Sequence, residues 1–300
     1  MMNATDISFP HLHLYLHNVP DGISVFGFEI KLYAICVVLG MFAGGTLAAW
    51  IAKREGWSKD IIWDFFIYGV FFGVVGARIY YVIFSWDYYK SEPLQIFNIR
   101  QGGLAIYGGV IAAFITVFVY CRVKKLSGLR LLDTCVPGLI LGQAFGRWGN
   151  FFNREVFGEY TDSFLAMRLP VAAVRSRDIS ESISAHMQAG ENFIQVHPTF
   201  LYESLWNAGV VILLVLLGTK RKFYGEIGLF YLIGYGVGRF WIEGIRTDTL
   251  FIPHTSLAVS QVLAGVMVIG SIIIDLIVRL QISKGKLKSI VFCPQNTTEN

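Results

Sequence analysis

Three arginines within apolar segments are the residues of this sequence best suited to chemistry. Arg78, Arg147 and Arg239 end the segments GVVGAR, GQAFGR and GYGVGR. A planar guanidinium matches the geometry of phosphate, and small residues let helix backbones approach closely. Ionisable residues in a membrane segment are costly and are functional-site candidates by default. The pattern predicts an anion site at Arg147 and Arg239. For Arg78, structural salt bridges or side chains that snorkel to the interface are an equal alternative.

Carboxylates accompany these arginines in the sequence. Glu243 lies four residues after Arg239, on the same face of a helix, and Glu155 lies eight residues after Arg147. Glu203 belongs to the following apolar segment. Further polar residues are expected at the same depth, so the prediction rests on the cluster and not on one member. These residues are Lys31, Tyr33, Gln101, Tyr107, His197 and Tyr202.

The elements that must position these residues are predicted to be membrane helices. The chain has 300 residues, of which 54% are hydrophobic and 15% are charged, against about 25% charged in soluble domains. Backbone groups in lipid must be satisfied internally, which predicts helices for apolar runs of about 20 residues. Seven such stretches are predicted to span the membrane: 27–51, 60–84, 102–121, 129–147, 198–218, 225–243 and 257–279.

Basic residues predict the orientation of this all-α polytopic membrane protein. Lys and Arg are concentrated after the first, third, fifth and seventh stretches, for example at Lys53, Lys124 and Lys222. The positive-inside rule then places the N-terminus outside and the C-terminus in the cytoplasm. Arg78, Arg147 and Arg239 come near the outer ends of outward-running helices. The net charge of +4 reflects the basic loops, and no nucleic-acid-binding module is visible.

The predicted organisation is a single membrane domain with short additions. Residues 1–26 form an amphipathic arm, residues 27–279 the membrane domain, and residues 280–300 a basic cytoplasmic tail. Within the domain, residues 148–197 form the only long connection, predicted to be a small extracytoplasmic cap. His11, His13 and His17 alternate with apolar residues, which suits a short strand or arm at the membrane surface and favours it over a metal site. The four cysteines, including Cys293, predict no disulfide framework.

Four ordered motifs resemble one bacterial enzyme family. Residues 146–158, GRWGNFFNREVFG, are similar to the signature of the phosphatidylglycerol–prolipoprotein diacylglyceryl transferases. QGGLAIYGG (101–109), HPTFLYE (197–203) and GRFWIEGIRTD (238–248) resemble the other motifs of that family, in order. The resemblance covers about residues 27–279, and four motifs in order carry far more weight than one glycine motif.

The resemblance implies a lipid-transfer reaction at the outer face of the bacterial cytoplasmic membrane. The substrate cysteine at the signal-peptide boundary of a prolipoprotein, the lipobox cysteine, attacks the glyceryl carbon of phosphatidylglycerol. Glycerol phosphate leaves, and a thioether-linked diacylglyceryl group remains, as the first step of lipoprotein maturation. The resemblance implies no metal or organic cofactor, and a monomer is expected.

The resemblance also implies roles for particular residues. Arg147 and Arg239 are expected to bind the lipid phosphate, and Glu155 and Glu243 to orient the arginines or accept headgroup hydroxyls. Asn150 is expected to bond the headgroup or a turn beside it, and Gly102, Gly103, Gly108 and Gly109 to admit substrate or to pack helices. The expected catalytic residues are Tyr107, Arg147, Arg239 and Glu243. The expected substrate-binding residues are Tyr33, Arg147, Asn150, Glu155, Gly158, His197, Arg239 and Arg246.

Tyr107 departs from the pattern of many family members, which have His in the glycine motif, where it has been proposed as the base. A free tyrosine titrates near 10, too high for an efficient base at neutral pH. Nearby arginines could lower that pKa, or the electropositive site could lower the pKa of the substrate thiol instead. Other readings of the charge cluster are a transporter or receptor for a soluble anion, or a lipid-binding protein without transfer activity. Paired halves with broken helices, which would favour a transporter, are not visible.

Overall fold

The computed structural model describes residues 2–99, 102–252, 255 and 257–289. Gln101, Cys293 and the end of the basic tail lie outside the described residues. The chain divides into two compact units, one made of Met1–Gly44 and Val136–Val291 and the other of Gly45–Cys135.

Helices dominate the chain, with short strands near the N-terminus and in the long connection. The helices are α1 (Leu32–Arg54), α2 (Lys59–Phe84), α3 (Trp86–Tyr89), α4 (Ile106–Lys124), α5 (Gly128–Asn153), α6 (Glu181–Ala185), α7 (Thr199–Gly218), α8 (Glu226–Glu243) and α9 (Val259–Ser283). The strands are β1 (Ile7–Phe9), β2 (Leu14–Leu16), β3 (Gly22–Val25), β4 (Phe28–Lys31), β5 (Met167–Pro170) and β6 (Phe193–Val196).

A long helix is present at each of the seven apolar stretches. Within the described ranges, five of them are long and apolar enough to cross a membrane: α1, α2, α4, α7 and α9. The chain is therefore a helical membrane protein. Helices α5 and α8 are more polar because they carry charges along their length. Those charges are Arg130, Asp133 and Arg147 in α5, and Glu226, Arg239 and Glu243 in α8.

Two helix ends differ from the sequence expectation, and both differences affect the candidate site. Helix α1 begins at Leu32 and not at residue 27, because Gly22–Lys31 form a hairpin of two strands. Helix α5 continues to Asn153, beyond the predicted end at 147. It ends where Arg154 takes a left-handed backbone, with φ of 52°. Arg147 and Asn150 therefore lie on one face of a continuous helix, three residues apart.

The first unit contains a four-stranded antiparallel sheet in the order β2-β1-β5-β6. The N-terminal arm thus joins the 148–197 connection in one sheet, through the pair Ser8↔Arg168. The all-α fold class omits this sheet and the β3–β4 hairpin, although β2 lies in the alternating segment 11–17, whose pattern suits a short strand. Strands of three or four residues elsewhere leave little alternation to detect. The core beneath the sheet includes Ile7, Phe9, Phe157, Leu169, Ile183, Ile194 and Val196.

The histidines of the arm make different contacts. His11 Nε2 lies 2.8 Å from Asp162 Oδ1 across the sheet, and this contact lowers the pKa of Asp162. His17 lies 3.6 Å from Asp6. No group of three or more His, Cys, Asp or Glu in the described part of the chain is arranged to hold a metal.

Arg154 connects the N-terminal arm to the end of α5. Its guanidinium donates hydrogen bonds to the carbonyls of Thr5 (2.8 Å), Val19 (2.6 Å) and Phe152 (3.0 Å). The residue is 7% exposed. Loss of these donors would leave the three carbonyl groups unsatisfied where the N-terminal arm meets the end of α5, next to Glu155.

In the second unit, the Arg78 side chain is bound by backbone carbonyls. Its guanidinium donates to the carbonyls of Gln95, Ile96, Asn98, Gly102 and Gly103, at 2.6–3.1 Å. These bonds hold the segment between α3 and α4 against the end of α2. Arg78 therefore takes a structural role, through carbonyl groups in place of the salt bridges considered from the sequence.

The same unit also shows what two of the motif glycines do. Helices α2 and α4 pack where a Cβ on Gly108 would lie 2.3 Å from the carbonyl oxygen of Gly76. Of the two expected roles for the motif glycines, Gly108 packs helices, and Gly103 lies directly against the Arg78 side chain.

The Arg154 contacts predict a measurable loss of stability. We expect Arg154→Ala to lose about 1–3 kcal/mol for each carbonyl left buried and unsatisfied, with a lower Tm and faster proteolysis of residues 1–26. Arg154→Gly loses the same bonds but relieves the positive φ, and should therefore be the more stable of the two. Arg177→Ala, at an exposed arginine, is the control. Wild-type Tm values in both Arg154 variants would contradict this account.

Candidate active site

Five charged side chains of the first unit form a chain of alternating sign, here called the arginine–glutamate network. Arg147 Nε lies 2.6 Å from Glu203 Oε2. The other oxygen of Glu203 is 3.8 Å from an Arg246 nitrogen, which is also 3.8 Å from Glu243 Oε2. Glu243 Oε2 in turn lies 2.7 Å from Arg239 NH2. One continuous set of ion pairs therefore joins Arg147 to Arg239.

Burial differs along the network. The Glu203 and Glu243 side chains are 6% and 5% exposed, and that of Arg246 is 9% exposed. The end members are more open, with 20% exposure for Arg147 and 21% for Arg239. The closest approach is between Arg147 Nε and Glu203 at 2.6 Å and between Arg239 NH2 and Glu243 at 2.7 Å, and a guanidinium carries five N–H donors in all. The network thus presents two partly exposed guanidinium groups, and the three side chains that join them, Glu203, Arg246 and Glu243, are buried and paired.

Asp248 adds a third carboxylate. Arg246 donates to it through Nε at 2.9 Å and through NH2 at 2.7 Å, a bidentate pair. Burial alone would raise the pKa of Asp248, but the hydrogen bonds and charge of Arg246 outweigh burial and lower it. Three arginines are therefore balanced by three carboxylates, so the network is neutral before any ligand binds.

Close packing of α7 and α8 brings the network together. A Cβ on Gly238 would lie 2.3 Å from Trp206 Nε1, so only glycine fits there. The same indole nitrogen donates to the carbonyl of Gly234 at 2.8 Å. Trp206 lies one turn after Glu203, and Gly238 immediately precedes Arg239. The small residues predicted to allow close helix approach do so at this crossing.

The signature turn after α5 forms a second polar group. Glu155 Oε1 accepts hydrogen bonds from the side-chain amides of Asn150 and Asn153, each at 3.1 Å. Its other oxygen pairs with Arg175 at 3.1 Å. Asn150 Oδ1 lies 3.5 Å from Arg147 NH1, a weak contact. Asn150 is thus the residue between Glu155 and Arg147, and Glu203, not Glu155, directly pairs with that arginine.

Gly158 lies where three segments of backbone meet. Its N–H donates to the carbonyl of His197 at 3.0 Å, and it forms an isolated bridge with Arg246. A Cβ at this position would lie 2.7 Å from the carbonyl oxygen of Ile245 and 2.9 Å from His197 Cβ. Absence of a side chain at Gly158 therefore sets the position of Arg246 relative to the signature turn.

The remaining candidates of this unit border these groups. The Tyr33 ring lies against Gly149, where a Cβ would come within 2.5 Å of it. Tyr33 therefore packs on the residue before Asn150. His197 Nδ1 lies 3.2 Å from the Tyr202 hydroxyl, and burial lowers the pKa of His197, which favours the neutral imidazole at pH 7. Tyr107 belongs to the second unit, where its side chain is 70% exposed and its ring is 6.4 Å from that of Tyr80.

Two members of the network are missed by sequence reasoning. Glu203 is noted there only as a nearby carboxylate, although the structure gives it two arginine contacts. Asp248 is passed over, although its position two residues after Arg246 was the available signal. Folding brings Glu203 to its arginines from a separate helix, whereas Asp248 is a local partner of Arg246 just beyond the end of α8.

Comparisons with known proteins identify the family of this chain. The model of the prolipoprotein diacylglyceryl transferase family matches residues 20–277. A phosphatidylglycerol–prolipoprotein diacylglyceryl transferase of Finegoldia magna is 41% identical over 266 residues, covering 88% of this chain and 98% of the relative. One of Clostridium perfringens is 40% identical over 271 residues, with 90% and 97% covered. One of Enterococcus faecalis is 40% identical over 263 residues, with 85% and 88% covered. The chain belongs to the prolipoprotein diacylglyceryl transferase family.

Proposed function

We propose that this protein transfers the diacylglyceryl group of phosphatidylglycerol to prolipoproteins, in lipoprotein maturation. Its family and the names of its relatives support that reaction. The observation in the structure that carries the proposal is the arginine–glutamate network, with its two partly exposed guanidinium ends. A phosphodiester is the part of the lipid that such ends fit.

In this proposal Arg147 and Arg239 bind the lipid phosphate together. Glu203 and Glu243 hold one edge of each guanidinium, which leaves other N–H groups to donate to phosphate oxygens. Because the two glutamates are buried, the arginines are fixed before the lipid binds, and little reorganisation is needed. Charge that develops on the leaving phosphate is then stabilised by donors already in place.

The reaction itself needs a nucleophile from the protein substrate. The thiolate sulfur of the lipobox cysteine forms a bond to the glyceryl carbon that carries the phosphate. The carbon–oxygen bond breaks, and its electrons leave with glycerol phosphate. The thiol must lose its proton first, and its ordinary pKa is about 8.5. Positive charge near the sulfur favours the thiolate.

A proton acceptor in the network is a further part of the proposal. Glu203 Oε1 and Glu243 Oε2 are buried and accept no hydrogen bond of good geometry from the described residues, although Glu243 Oε2 lies 2.7 Å from Arg239 NH2 in an ion pair. Each can accept one from a headgroup hydroxyl or from the substrate thiol. We assign Glu243 to this role together with Arg239, and assign Asn150, Glu155, Gly158, His197, Arg246 and Tyr33 to shaping the surrounding site.

The proposed topology has seven membrane helices, with the N-terminus outside and the C-terminus in the cytoplasm. The basic residues after α1, α4, α7 and α9 support it. It places the end of α5, the end of α8 and the cap toward the extracytoplasmic face of the cytoplasmic membrane.

Replacement of the end arginines by lysine tests the proposed phosphate site. Lysine keeps the charge but lacks the fork, and a charge-assisted hydrogen bond is worth about 1.5–3 kcal/mol, so Arg147→Lys and Arg239→Lys should each reduce transfer about 10- to 100-fold. The double variant should lose less than the two single losses combined, because both residues serve one ligand. The measurement is phosphatidylglycerol-dependent labelling of a cysteine-containing precursor peptide by purified protein.

A matched control separates the phosphate role from ion pairing in general. Arg279 pairs with the buried Glu226 at 2.6 Å, near the start of α8 and away from Arg239 at its end. Arg279→Lys should retain transfer. Near-normal labelling by both Arg147→Lys and Arg239→Lys would instead assign these arginines to structural salt bridges.

Replacement of Tyr107 separates its two possible roles. If Tyr107 were the base, Tyr107→Phe would nearly abolish transfer and leave lipid binding intact. We expect positioning instead, because the ordinary pKa of tyrosine is far from neutral, so Tyr107→Phe should keep much of the activity and Tyr107→His should be tolerated. Transfer rate and lipid binding are measured on the same preparations. Loss of transfer in Tyr107→Phe with normal lipid binding would overturn the positioning role.

A further inference from the structure

Strands β3 and β4 form an amphipathic ribbon directly before the first membrane helix. The register pairs Ile23 with Ile30 and Val25 with Phe28. These four residues share one face, because side chains alternate across a strand. Gly22, Ser24, Glu29 and Lys31 form the other face. One face of the ribbon is therefore wholly apolar and the other is mainly polar.

Both the apolar face and the tip of the ribbon are exposed. Every ribbon residue except Gly22 is exposed, including Ile23, Val25 and Ile30. The tip is a two-residue turn in which Phe26 and Gly27 both have positive φ, 50° and 80°. Phe26 is 99% exposed. Positive φ is unfavourable for a bulky residue, and the exposed Phe26 ring makes no packing contact within the described part of the chain that would offset this cost. Its conformation therefore indicates a contact with something outside the chain.

The position of the ribbon indicates what that contact is. Strand β4 ends at Lys31, and α1, which is apolar enough to cross a membrane, begins at the next residue. Lys31 at the base pairs with Asp21 at 2.8 Å and with Glu29 at 2.5 Å, so charge is concentrated at the base and apolar surface toward the tip. A two-stranded hairpin is marginally stable in water, and an amphipathic element beside a bilayer lies with its apolar face in the lipid.

We infer that the β3–β4 ribbon is a lipid-contacting anchor, with Ile23, Val25, Ile30 and the Phe26 ring among the acyl chains of the membrane surface that α1 enters. Through Lys31 and Leu32 the anchor leads within two residues to Tyr33, whose ring packs on Gly149 beside Asn150. The anchor thereby sets the depth of the signature segment at the level where lipid headgroups lie. Lipid contact by the ribbon does not require the transfer reaction, so the two can be tested separately.

Adjacent positions on opposite faces provide a matched test. Val25→Cys and Ser24→Cys are made in a background with Cys36, Cys121, Cys135 and Cys293 replaced, labelled with an environment-sensitive fluorophore, and placed in phosphatidylglycerol–phosphatidylcholine vesicles. We expect the label at Val25 to emit at shorter wavelength, to be quenched by nitroxide on the acyl chains and to be protected from iodide. The label at Ser24 should show the reverse. Ile30→Cys and Glu29→Cys repeat the comparison on β4.

Two results would overturn the inference. Equal iodide quenching of both labels, without quenching by nitroxide lipid, would show that the ribbon stands in water. Equal quenching of both labels by nitroxide lipid would show that the contact does not depend on the face. Because no substrate peptide is present, either result leaves the proposed transfer activity to be judged on peptide labelling alone.

Discussion

The cost of burying carboxylates determines how this site is built. Glu203 and Glu243 are nearly excluded from solvent, and an isolated buried carboxylate is strongly unfavourable unless it is paired. Arg147, Arg239 and Arg246 supply that pairing from the end of α5, the end of α8 and the segment after it. The ends of these elements must therefore meet at one place. Removal of any member would leave a neighbour with uncompensated charge, so the network restricts the fold as well as the chemistry.

The surrounding structure holds the ends of α5 and α8 and the segment after α8 in position. Gly158 allows the signature turn to approach the backbone at His197 and Ile245. Arg154 binds the N-terminal arm to the turn that carries Glu155, and the arm in turn completes the sheet with β5 and β6. Rigid support of this kind lets a binding site act without reorganising at each turnover. The polar turn and the small sheet are thus part of the machinery that fixes the arginines.

Sequence reasoning succeeds where the signal is local and fails where folding creates the contact. Long apolar runs predict the helices well, and helical spacing correctly predicts the pairing of Arg239 with Glu243 four residues later. The Arg147–Glu203 pair spans separate helices, so no spacing rule could single it out. The second strand of the hairpin before α1, β4, falls within the predicted stretch 27–51, because its apolar residues continue those of the helix. For Arg78 the sequence leaves an anion site and a structural role equally open, and only the folded chain shows that its guanidinium donates to backbone carbonyls.

A structure with phosphatidylglycerol bound tests the central claim most directly. The account predicts phosphate oxygens at about 3 Å from guanidinium nitrogens of both Arg147 and Arg239. It also predicts that Glu203 and Glu243 still hold the opposite edges of those groups. A phosphate bound out of reach of both arginines, with their glutamate pairs unchanged, would contradict the account and leave the network with a purely structural role.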